Sequence, residues 1–99
     1  MSASVLRWHT VPPEALTWRE LDGDVVVRNA CSGSTHLLEP LAGRVLRALI
    51  DTSKGMTIED LVARLHPDTA PEGRAKGFAA IEAVLSEFQR LGLAEQEQL

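Results

Sequence analysis

The side chains that could do chemistry in this 99-residue sequence are few: His9, His36, His66 and a single cysteine, Cys31. Zinc ligands come as pairs at short, defined spacings. No two of these residues have such a spacing, and they fall in different segments of the chain. A nucleophilic Cys31 would need a base beside it, and no Cys–His or Ser–His–Asp arrangement is evident. The expectation is a protein that is not an enzyme, with no catalytic residue, no metal and no cofactor. His36 is expected to pack or hydrogen-bond at a sheet edge. Trp8 and Trp18 read as hydrophobic anchors, with contact to a partner as the alternative for Trp8.

Charge argues against nucleic acid as a general partner. Ten basic residues are scattered among fourteen acidic ones, for a formal net charge of −4, whereas duplex binding needs several cations on one face to displace counterions. Arg74, Lys76 and Arg90 would be the reading residues of a DNA-binding helix; their more usual role is a solvated face. One cysteine excludes an intramolecular disulfide and fits a reducing cytoplasm. Residues 1–16 hold no apolar stretch of signal-peptide length, and no run approaches the ~20 apolar residues of a membrane span. A cytoplasmic protein that does not engage a membrane is expected.

The elements that must position any site divide near Pro40 into a strand half and a helix half of one domain. Leu16 and Trp18 alternate with Thr17 and Arg19, which is strand periodicity. Asp22-Gly23-Asp24 has turn chemistry, and Val25-Val26-Val27 is β-branched. A second turn at 29–33 leads to a short strand, Ser34-Thr35-His36-Leu37-Leu38. This predicts an antiparallel meander with 34–38 at an edge. Pro40 suits a helix start, with Leu41, Val45 and Leu49 on one face over 40–51, although Glu39 is a poor cap. Thr57 and Asp60 form a variant capping box, with Met56 and Leu61 at the staple positions, for a helix stopping before Pro67. A third helix is expected from near Thr69, with Glu72 as capping partner, to Leu91, with Gly92 as its left-handed cap. Phe78, Ile81, Val84, Leu85, Phe88 and Leu91 form a stripe about 140° wide on it. Leu93-Ala94 is read as a brief extended segment and the tail from Glu95 as frayed. The fold class is α+β: a three-stranded antiparallel sheet followed by three helices, winged helix-turn-helix-like.

Several of these segments resemble the PqqD family, in the branch found beside kinases related to HPr kinase. The resemblance lies in Val25-Val26-Val27-Arg28-Asn29, in Ser32-Gly33-Ser34-Thr35-His36-Leu37-Leu38 followed by Pro40-Leu41-Ala42 and Val45-Leu46, in Arg7-Trp8, and in the 85–93 ending. It covers about residues 5–95 and is most specific over 32–46. Glu39 departs from the Asn or Asp that often caps the first helix in that family. The resemblance implies a peptide chaperone, or recognition element, that binds the leader of a ribosomally made precursor peptide. It presents that peptide to a modifying enzyme, often a radical enzyme, and in this branch one associated with kinase-related systems. Related domains form dimers or are fused to their enzymes, which leaves a homodimer open.

An unblocked edge strand accepts another strand through its free N–H and C=O groups, and 34–38 carries no Lys, Pro or central charge. The peptide is therefore expected antiparallel to Ser34, Thr35, His36, Leu37 and Leu38, over a floor of Phe78, Ile81 and Leu85; leaders in the families this chain resembles are often acidic, and the resemblance implies that Arg74 meets such a residue. The competing classes are a winged-helix DNA-binding regulator, on fold analogy alone, and a structural subunit of a kinase-related complex.

Overall fold

The computed structural model describes residues 6–52, 54–65 and 70–98. Strand β1 spans Leu6–Thr10 and leads through a 3-10 turn at Pro13–Ala15 into β2 (Leu16–Leu21), β3 (Asp24–Asn29) and β4 (Ser34–Leu38). Helices α1 (Pro40–Ile50), α2 (Ile58–Leu65) and α3 (Pro71–Leu91) follow, and β5 (Ala94–Gln98) ends the described chain. The fold is α+β. Its larger sheet has the order β2-β3-β4 and both of its pairings are antiparallel.

The meander follows from its turns. Asp22 and Gly23 both take positive φ, 52° and 90°, which Asp tolerates and Gly adopts freely. At the second turn Gly33 also has positive φ, 77°. There Asn29 Oδ1 accepts the Cys31 N–H at 2.9 Å. Register pairs Val27 with both Trp18 and His36, and Val25 with both Glu20 and Leu38. The face carrying Val25, Val27 and Leu38 is thereby turned onto the helices, and all three side chains are buried.

The helices close over that face. At α2 the capping box is made: Asp60 N–H donates to Thr57 Oγ1 at 3.1 Å, and Thr57 N–H donates to Asp60 Oδ2 at 3.4 Å. Met56 and Leu61 are both buried, as a hydrophobic staple requires. Helix α3 stops at Gly92, φ 76°; the Leu93 N–H then donates to Phe88 O at 2.8 Å and the Gly92 N–H to Gln89 O at 3.2 Å, a Schellman closure. Val45, Leu46, Leu49, Leu61, Ile81, Leu85, Phe88 and Leu93 meet Val27 at the centre of the core.

The structure differs from the sequence expectation in three places. Helix α3 begins at Pro71 with Ala70 at the cap position and no side-chain cap bond; Pro71 supplies the start instead, and Thr69 lies outside the described residues, as does His66. The polar tail is strand β5, paired antiparallel with β1 from Leu6↔Gln98 to Thr10↔Ala94. Its Glu-Gln-Glu-Gln run hides the strand, because a two-stranded ribbon at the surface needs little apolar patterning. Trp18 is 36% exposed and lies under the Arg47 guanidinium, 5.2 Å from its ring centroid. It is a cation–π platform rather than a core anchor. Trp8, by contrast, is 3% exposed and sits in the core. It also exchanges both backbone hydrogen bonds with Met56, at 2.7 and 2.8 Å.

Candidate functional site

Among the described residues, the sheet order leaves β4 with β3 on one side and no strand on the other. Alternation along β4 sends Thr35 and Leu37 outward and turns Ser34, His36 and Leu38 toward the helices. Leu37 is 69% exposed, the most exposed large apolar side chain among the described residues. On the inner side a groove of about 330 Å³ runs between β4 and α3. Leu37, Leu38, Glu39 and Ala42 form one wall; Ala83, Val84, Glu87, Phe88 and Leu91 form the other.

The stripe on α3 explains why the groove has this floor. Ile81 and Leu85 occupy its centre and are 0% exposed, so they serve the core and are not presented to a ligand. Phe78 marks one flank. Val84 and Leu91 mark the other, about 120–140° around the helix. The groove beside β4 meets the Val84–Leu91 flank. Phe78 instead lines a separate hollow with Pro71, Arg74 and Ala75 at the start of α3. Of the residues expected to hold a peptide, Leu37 and Leu38 thus wall the groove, Thr35 lies on its edge strand, and Ser34 and His36 are half-buried on the strand's inner side. Arg74 and Phe78 stand elsewhere. The missed residues are Glu39, Ala42, Ala83, Val84, Glu87, Phe88 and Leu91. Val84, Phe88 and Leu91 were visible as stripe members, but periodicity alone does not say which flank meets the strand.

Polar groups at the groove are sparse. His36 Nε2 is buried without a hydrogen-bond partner among the described residues. Glu87 accepts from Arg90 Nε at 3.1 Å, and Arg90 Nη2 donates to its second oxygen. This hydrogen bonding holds the Glu87 carboxyl below its ordinary value; desolvation opposes it, and the nearby Arg90 and His36 add electrostatic lowering. Glu39, the cap residue of α1, makes no side-chain cap bond. Its carboxylate has no ion-pair partner among the described residues. Among those residues no cluster of three or more His, Cys, Asp or Glu could hold a metal, and no helix is long and apolar enough to cross a membrane. Cys31 is exposed in the 29–33 turn.

Comparison with protein-family models, with curated proteins and with solved structures found no match to this chain. The groove and its edge strand therefore stand as the basis for a functional reading.

Proposed function

We propose that the chain is a cytoplasmic, non-catalytic peptide chaperone of the PqqD type, with a winged-helix-like arrangement of its sheet and helices. It binds an extended leader segment of a precursor peptide by strand addition and presents it to a modifying enzyme. The observation that carries this reading is the free edge of β4 standing beside an apolar groove floored by α3. Strand addition uses both features: main-chain bonds give affinity, and a pocket for alternate side chains gives specificity. Each apolar side chain that the groove buries contributes about 1.5–3 kcal/mol before ordering costs.

A DNA-reading role for α3 has less support. Arg74 and Arg90 lie sixteen positions apart, about 24 Å along the helix, and Arg90 is engaged by Glu87. NMR titration with precursor peptides encoded near the gene tests the proposal. The amides of 34–38 and the 83–91 face of α3 are expected to shift together. Shifts confined to another surface, or a salt-dependent mobility shift with duplex DNA and no peptide binding, would reverse the assignment.

A further inference from the structure

The rim of the β4–α3 groove is acidic. Among the described residues its two charged wall residues are Glu39 and Glu87, and no Lys or Arg lines it. Arg90 engages Glu87 without lining the groove. Glu39 is the uncommitted charge. It occupies the α1 cap position without capping, where Ser, Thr, Asn or Asp would stabilise the helix. The one cation expected to read the leader, Arg74, lines the other hollow, with Pro71 and Phe78.

We propose that this groove selects a basic, not an acidic, extended peptide: an apolar side chain seated on Leu37, Ala42, Val84 and Leu91, with a lysine or arginine near it in sequence reaching Glu39 and Glu87. The inference rests on the strand-addition reading above and assigns the chemical class of its ligand. Residues two apart in a strand lie about 7 Å from one another on the same face, so the long stem of Lys or Arg spans from the seated residue to the rim. An acidic residue in that place meets the unpaired Glu39 carboxylate on one wall and the Arg90-paired Glu87 on the other. Because both carboxylates are exposed, each ion pair is modest and screened by salt.

The test uses two fluorescently labelled synthetic decapeptides that alternate Leu with a charged residue on one face of the strand, Lys in one peptide and Glu in the other, with Thr at every intervening position of both. Anisotropy is read at low and high salt, and the bound amides are located by NMR. The lysine peptide is expected to bind on the order of five-fold tighter than the glutamate peptide, with shifts at 34–38 and 83–91, and the margin should narrow in high salt. Glu39→Asn should raise the unfolding midpoint, because it caps α1, yet weaken the lysine peptide. Glu39→Lys should move the preference toward the glutamate peptide. Equal affinities, or a tighter glutamate peptide that shifts the same amides, would overturn the charge assignment and leave strand addition standing. If neither peptide moves the 34–38 amides, both readings fall.

Discussion

At position 29 the chain buries an amide, and both ends of it are used. Asn29 is 4% exposed; its Nδ2 donates to Gly92 O at 3.3 Å while its Oδ1 accepts from Cys31 N. One side chain thus ties the β3–β4 turn to the end of α3, which are 63 residues apart. Asn29→Ala should destabilise the fold by about 0.5–1.5 kcal/mol for each of the two bonds lost, since Cys31 and Gly92 are exposed and water can replace the amide, measured by urea unfolding. Gly43 belongs to the same scale. A Cβ there would stand 2.5 Å from Val25 Cγ2 and 3.2 Å from Val25 Cβ. Gly43→Ala gains about 1 kcal/mol of helix propensity but forces α1 off β3. Overpacking of this kind costs about 1–3 kcal/mol, so a net loss of stability is expected in the same assay. The Glu87–Arg90 pair should show in the pH dependence instead. Because the folded-state Glu87 value is depressed, its contribution is present above the ordinary carboxylate value and is lost as pH falls through the folded one. Acid titration followed by NMR should find the Glu87 midpoint below that of the unfolded chain, and Arg90→Ala should bring it back.

Among the elements, β4 carries the decisive test. Successive amides of a strand point to opposite sides, so those of 35 and 37 share one direction and that of 36 takes the other. A proline at each position in turn should separate two effects. Where the N–H faces β3, proline should lower stability; where it faces outward, stability should hold while peptide affinity falls. Thermal melts paired with anisotropy check this, and uniform loss of stability at all three positions would argue against a free outer edge. Much of the local structure was legible at this scale. The Asp22-Gly23 and 29–33 turns, the Thr57–Asp60 box and the Gly92 cap are each set by residues within a few positions of one another, so the local sequence contains their causes. The flank of α3 that meets β4 was not legible. Phe78 and Val84 are equally apolar, and the choice between them depends on how α1 and β4 lean against the helix.

For the whole molecule, the β1–β5 ribbon joins the two ends of the described chain and clamps Trp8 against Met56. A chain ending at Leu93 should leave Trp8 and Thr10 without their cross-strand cover. Hydrogen exchange should then quicken across 6–10 and at Met56, while 24–38 remains protected to a greater degree.

Local signals in the sequence set the order of strands and helices between residues 16 and 92, their α+β class and the edge position of β4. These rest on periodicity, turn residues and caps, all of which act over a few positions. The folded structure was needed to show that the polar tail is a strand, because its pairing partner lies some ninety residues away in sequence. It alone separated Trp8 in the core from Trp18 at the surface under Arg47, since two like side chains differ only in what packs over them. It also moved the groove from Phe78, Ile81 and Leu85 to Val84, Phe88 and Leu91, with Glu39 and Glu87 at its rim. A groove is a gap between elements, and its lining is set by how they pack rather than by any one of them.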